Sequence, residues 1–269
     1  MKVFEGTNNE FYMDGYLNAN LDTAKRIIRK DLDMVFLVDG SEGAGKSVLA
    51  MECAFFCDPT LTLDRIVFTP KEFRKAIIEA KPYEAVIYDE AYTGLSSRAT
   101  MSLINRTLIS MLAEIRQKNL FVFVVMPSFF DLDRYVALWR SRGLLHVYFG
   151  DDFERGFFAF YNSDKKKDLY INGKKFYSYS KPKPNFIGRF TNHYVVDEKA
   201  YRKKKKESLS NREKKREEDE IRKELENMLF MRLCELEDIS HSLKIKILDI
   251  PSSTYFYKLK QFNEGKEFV

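Results

Sequence analysis

The chain has 269 residues, enough for one α/β domain of ordinary size and a small appendage. Its 45 Lys and Arg against 40 Asp and Glu leave a formal charge of +5, so net charge by itself points to no polyanionic partner and the distribution must be read instead. Cys53, Cys57 and Cys234 offer neither an even disulfide framework nor metal-ligand spacing and read as reduced and buried, and the longest apolar run, Leu120 to Met126, falls far short of the roughly 20 residues that span a bilayer. With no apolar signal-peptide stretch after Met1, the expectation is a cytoplasmic chain without membrane insertion.

In chain order, Asp33 to Val38 is a short apolar strand that enters a glycine-rich loop, and Lys46 to Phe56 follows as a helix. Arg65 to Phe68 is a second strand. Thr69, Pro70 and Glu72 then supply a cap, a first-turn proline and a capping-box carboxylate for a helix ending near Ala80. Ala85 to Tyr88 is an apolar strand closed by Asp89-Glu90, and Met101 to Lys118 is a long helix with Leu103, Leu108, Met111, Leu112 and Ile115 at helical spacing. Leu120 to Met126 is the next strand, Asp131 to Arg140 a short helix, and Leu144 to Phe149 another strand. This βα alternation predicts an α/β fold with a mainly parallel sheet flanked by helices.

Beyond residue 150 the pattern changes. Gly156 to Tyr161 and Leu169 to Tyr179 are aromatic-rich runs, the second broken at Asn172-Gly173, a hairpin turn signal, so a small antiparallel β extension is expected. Residues 199–224 are dominated by Lys, Arg and Glu and cannot build a core, which reads as a linker or an exposed helix. From about Ile221 to Phe262 apolar residues return at helical spacing. The expected organisation is therefore 1–198, 199–224 and 225–269, the last a small helical module.

The loop carries the chemistry. Gly40, Ser41, Glu42, Gly43, Ala44, Gly45, Lys46 and Ser47 match G-x-x-x-x-G-K-[ST] in full. Glycines allow the backbone to wrap phosphates, the amides and the helix N-terminus supply positive potential, Lys46 adds a charge and Ser47 would hold Mg²⁺. An accidental glycine turn would need neither the strand before it nor the helix after it. Asp89-Glu90 at a strand end supplies the carboxylates that a hydrolytic site needs, Asp89 toward the metal and Glu90 toward the attacking water. ATP and Mg²⁺ are the expected cofactors, and Glu90 points to hydrolysis rather than binding alone.

Over about residues 33–150 these features resemble the additional-strand, catalytic-glutamate class of P-loop ATPases. The resemblance implies an extra strand between the loop strand and the Asp-Glu strand, and a polar sensor at the end of that extra strand. Here the candidate segment is Met126-Pro127-Ser128, where Ser128 is the hydroxyl available and the first position departs from the family pattern. The resemblance also implies an arginine donated by a neighbouring subunit, for which Arg140 and Arg142 are the candidates and Arg116 the competitor. Glu84 through Tyr148 is similar in pattern to FtsK/HerA-type genome-packaging translocases and to zonular-occludens-toxin-like phage proteins, which implies a viral or mobile-element source, the host cytoplasm and a homo-oligomer, in a ring or another arrangement.

Leu243 to Ile250 and Pro251 to Lys260 read as helix, turn, helix and resemble the DNA-binding helix-turn-helix of transposases and phage regulators. On that resemblance Ser252, Ser253, Thr254, Tyr257 and Lys258 would meet double-stranded DNA. A plain helical hairpin serving assembly fits the same spacing. Lys203 to Lys206 would suit DNA phosphates, or would form a solvated helix face. Two functions fit the whole: a DNA-associated ATPase motor, and an ATP-dependent switch that controls DNA binding or assembly through the C-terminal helices.

Overall fold

The apolar runs of the first 200 residues become one seven-stranded sheet, seen in a computed structural model that describes residues 1–89, 98–236 and 238–264, without the side chains of 98–104, 212, 213, 215, 216 and 220. Its strands are β3 (Met34–Gly40), β4 (Ile66–Val67), β5 (Ala85–Asp89), β6 (Phe121–Val125), β7 (Gly143–Tyr148), β8 (Phe157–Asn162) and β9 (Phe186–Arg189), in the order β4-β5-β6-β3-β7-β8-β9. The first five in that order run parallel, β8 pairs antiparallel with β7, and β9 pairs antiparallel with β8 and so points the same way as the first five. The sheet is thus mostly parallel, and β6 lies between β3 and β5. β3, β5 and β6 are buried at every position, as expected of strands covered on both faces.

Alternation along the strands sorts the core into two layers. Phe36, Val38, Ile87, Phe123, Val125 and Val147 face α1 (Gly15–Ile27) and α2 (Lys46–Cys57). Val35, Leu37, Tyr88, Val124, Leu144 and Tyr161 face α3 (Pro70–Glu79), α4 (Arg98–Gln117) and α5 (Ser163–Gly173). The expected capping box of α3 is present: Thr69 Oγ1 accepts from the Glu72 amide at 3.2 Å and Glu72 Oε2 from the Thr69 amide at 3.1 Å. Such a box contributes about 1 kcal/mol to a helix start.

Several elements differ from the expectation. The first 32 residues hold a two-stranded sheet of β1 (Lys2–Val3) and β2 (Phe11–Tyr12), then α1, whose N-terminus Asp14 caps with bonds from the Tyr16 and Leu17 amides. The stretch read as the helix Asp131 to Arg140 is a 3₁₀ turn at Phe129–Asp131 and a π turn at Val136–Arg140. Leu169 to Tyr179 is not the second strand of a hairpin. Asn162 caps α5 by accepting from the Lys165 amide, and Lys166, Leu169, Tyr170 and Gly173 bury one helical face, so side-chain burial at period 3.6 overrides the β propensity of the aromatic run. Asn172-Gly173 ends a helix instead, and β8 pairs with β7 on one side and β9 on the other. Lys166 is fully buried, donates to the Ala137 carbonyl of the π turn, and burial lowers its ammonium to about 7.

The charged stretch forms part of one long helix, α6 (Glu198–Glu235). The chain divides into two units, Met1–Ser208 and Leu209–Val269, so the first turns of α6 belong with the sheet unit. The second unit also contains α7 (His241–Leu248) and α8 (Ser252–Asn263), joined by a turn at Asp249 to Pro251. Its small core centres on Tyr255, which hydrogen-bonds His241 at 2.7 Å and packs its ring on Phe230. Among the described residues, no helix is long and apolar enough to cross a membrane.

Candidate functional site

Parallel pairing brings the C-terminal ends of β3, β5, β6 and β7 to one edge of the sheet, where open α/β sheets bind their ligands. At that edge β3 runs into the loop Gly40 to Ser47. Gly40, Gly43 and Gly45 all take positive φ, at 130°, 77° and 103°. L-side chains rarely adopt that region. A Cβ on Gly40 would also fall 1.8 Å from the Val147 carbonyl oxygen, so the loop can leave the sheet here only through glycine. Gly45 is the N-cap of α2 and provides no side-chain cap, which leaves the helix start to be satisfied by something else.

Lys46 folds back over the loop. Its Nζ donates to the carbonyls of Gly40 at 2.7 Å and Ser41 at 2.8 Å. Burial lowers its ammonium below the ordinary value, while the carboxylates of Asp39, Glu42 and Asp89 oppose that shift and Lys205 adds to it. Ser41, Glu42 and Gly43 are exposed and Ala44 is buried.

Asp89, 1% exposed at the end of β5, is the second half of the site. Its Oδ2 accepts from the Tyr201 hydroxyl at 2.5 Å and from the Lys205 ammonium at 3.3 Å. The same ammonium lies 3.3 Å from Ser47 Oγ and 3.2 Å from the Tyr201 oxygen. Ser47 Oγ and Asp89 Oδ2 therefore share one ammonium as their partner. A hydroxyl and a carboxylate oxygen are of the kind that could serve Mg²⁺ as two of its six ligands. Burial and then the Asp89 carboxylate hold the Tyr201 phenol far above its usual value, so it remains a donor. Glu90 lies outside the described residues.

A second polar cluster sits beside the loop. Asp39, fully buried directly before Gly40, accepts from the Phe129 amide at 2.9 Å and from the Tyr179 hydroxyl, and its Oδ1 is 2.9 Å from His146 Nδ1. The Tyr179 ring stacks on His146 with centroids 3.7 Å apart, and burial with the Asp39 charge raises its phenol strongly. This network ties the segment after β6, including Ser128, to the strand that feeds the loop. Ser128 itself caps the turn by accepting from the Phe130 amide at 3.3 Å.

The arginine candidates occupy the opposite edge of the sheet. Arg140 pairs with Asp33, just before β3, at 2.7 Å and donates to Leu112 O at 3.2 Å. Arg142 lies 4.0 Å from the same carboxylate, and its amide bonds Val35 O. Arg116 is exposed in the last turn of α4, near where β6 begins. Within its own chain none of the three is at the loop edge, and the buried pair with Asp33 gives Arg140 a structural task. In the second unit Ser252, Ser253 and Tyr257 are exposed and Thr254 partly so, while Lys258 is held by Asn227 at 2.9 Å.

Asp39, His146, Tyr179, Tyr201 and Lys205 carry no motif. The charged Asp39 at the end of an otherwise apolar strand is a usable signal. For Tyr201 and Lys205 the signal is only their i,i+4 spacing inside a basic run, which a solvated helix also produces. The expectation that Lys203 to Lys206 is a solvated or phosphate-neutralising face is corrected for two of its members. Lys204 donates to the carbonyls of Leu63 and Ile66 at 2.9 and 2.7 Å, and Lys205 enters the site, because Tyr201 three and four residues before them is pulled into the core. Compared with protein-family models the chain matches none, and no curated protein sequence is significantly similar to it.

Proposed function

We propose that the chain is a P-loop ATPase that binds Mg²⁺-ATP at the Gly40 to Ser47 loop and works as a DNA-associated motor, a translocase or genome-packaging ATPase of a virus or mobile element, acting as a homo-oligomer on double-stranded DNA. The observation that carries the nucleotide part is the convergence of Ser47 Oγ and Asp89 Oδ2 on one cation, 3.3 Å from each, beside a glycine loop closed by Lys46. The strand order, with β6 between β3 and β5, supports the additional-strand class. The motor and its DNA rest on the pattern of Glu84 through Tyr148 and on the exposed Ser252, Ser253 and Tyr257 of α8.

In this proposal the loop amides and Lys46 hold the phosphates, Ser47 and Asp89 hold Mg²⁺, and Glu90 takes the proton of the attacking water. The metal, when bound, neutralises charge on the transferred phosphoryl group. Asp39, Tyr179 and His146 keep the segment after β6 in register with the loop, a preorganising role. A second function, an ATP-dependent switch with slow turnover, is favoured by one observation: the start of α6 lies on the cation position.

Phosphate release with and without duplex DNA separates the two. The motor requires release that duplex DNA stimulates, that Glu90→Gln abolishes with ATP binding retained, and that Lys46→Ala abolishes together with binding. Turnover indifferent to DNA sinks the motor and leaves the switch.

A further inference from the structure

Tyr201 and Lys205 lie four residues apart on α6 and so share one helical face. That face is firmly seated. Tyr201 is 3% exposed and packs its ring against Phe68 and Tyr194, Lys204 bonds two carbonyls next to β4, and Asp197 caps the helix by accepting from the Ala200 amide at 2.6 Å. The Lys205 ammonium is thus delivered to Ser47 and Asp89 by a docked helix, and its side chain is only 30% exposed.

We propose that Lys205 is a built-in counter-cation of the site: its ammonium fills the divalent-cation position, and the metal–nucleotide complex enters by expelling it, breaking the Tyr201–Asp89 bond as it does so. This rests on the nucleotide reading above. A divalent ion on Ser47 binds at about 2.0–2.1 Å. It would lie within about 5 Å of the present ammonium nitrogen and compete for the same Asp89 oxygen. Asp89 needs a positive or hydrogen-bonding partner because an uncompensated buried carboxylate is costly. Lys205 and Tyr201 meet that need before nucleotide arrives, and the incoming metal meets it afterwards.

Two consequences follow. Metal-dependent nucleotide binding is weakened by the fraction of chains in which Lys205 is seated, since only the vacated site is competent. Loading the site also undocks the first turns of α6, the helix that carries the chain on into Leu209–Val269, so occupancy is reported along a covalent element.

The test uses the full-length chain and a fluorescent, non-hydrolysable ATP analogue titrated with Mg²⁺ from a chelated start. Lys205→Ala should lower the Mg²⁺ concentration for half-saturation about tenfold, equivalent to about 1.4 kcal/mol. Tyr201→Phe should lower it less, and binding of the analogue in chelator should be unchanged in both. Hydrogen exchange of the wild-type amides at 198–208 should quicken when Mg²⁺ and the analogue are added together and not with either alone. An unchanged Mg²⁺ requirement in Lys205→Ala overturns the inference while leaving the nucleotide site standing. So does weaker binding both with and without Mg²⁺, which would make Lys205 a phosphate ligand, and so does slower exchange at 198–208. Loss of all binding in the wild type, matched by Lys46→Ala, removes the nucleotide reading and this inference with it.

Discussion

Glu52 is the residue whose titration most directly exposes how the loop helix is tied down. It lies in the second turn of α2, 2% exposed, and its Oε1 accepts from Thr191 Oγ1 at 3.0 Å and from the His193 amide at 3.4 Å. Burial drives its carboxyl from 4.5 up to about 8, with those two bonds opposing. The folded chain therefore keeps the proton after the unfolded chain has lost it. The contribution is complete below about pH 4.5 and is lost as pH rises to about 8. At about 1.4 kcal/mol for each pH unit of that window, the loss approaches 5 kcal/mol. Glu52→Gln keeps an oxygen for both donors and cannot ionise. Its stability should match the wild type near pH 5 and exceed it by about 3 kcal/mol at pH 7. Urea unfolding at pH 5, 6 and 7 measures the difference. The single tryptophan, Trp139, reports on the unit that contains Glu52. Groups common to both proteins cancel, so a difference that stays constant across that range would mean that Glu52 ionises normally in the fold, and would refute the reasoning.

Other perturbations separate site from scaffold. Gly45→Ala puts a methyl at φ 103° and 3.0 Å from the Phe190 ring; it should cost about 1–3 kcal/mol in thermal or urea unfolding and reduce fluorescent-ATP affinity at least tenfold. Arg140→Met leaves Asp33, 2% exposed, without its nearer partner, and should destabilise by about 3 kcal/mol with phosphate release per folded molecule unchanged. A loss of turnover with no loss of stability would instead mark Arg140 as an arginine acting on a neighbour's phosphate. Tyr257→Ala, on a side chain 64% exposed, should change stability by less than about 0.5 kcal/mol while weakening duplex-DNA affinity in a filter or anisotropy assay. Unchanged affinity makes the second unit an assembly element.

The parallel sheet was legible from one-dimensional signals because its strands are continuous apolar runs: Met34 to Val38, Ala85 to Tyr88 and Phe121 to Val125 are buried on both faces, a pattern few other elements produce. α3 was legible from its caps. The β extension was not, because aromatic residues favour strands and also pack one side of a helix; the arbiter at Leu169 and Tyr170 is the set of residues they meet across the core. The paired strands β1 and β2, two residues each, leave no alternation to read, whereas α1 does carry a signal, Asp14 as its cap and Leu17, Leu21 and Ala24 at helical spacing.

By itself the sequence determined the loop, because the constraint there is local: backbone at positive φ favours glycine, and Gly40, Gly43 and Gly45 supply it within six residues. It also determined that Asp89 would close a strand. Which side chains meet Asp89 was decided only by the tertiary structure. Tyr201 and Lys205 are 112 and 116 residues away in the chain, and they arrive because burying Tyr201 in the core turns one face of a highly charged helix inward. Burial of a single aromatic ring selects which lysine of a basic run leaves solvent for the site. The run of lysines alone carries no record of that choice.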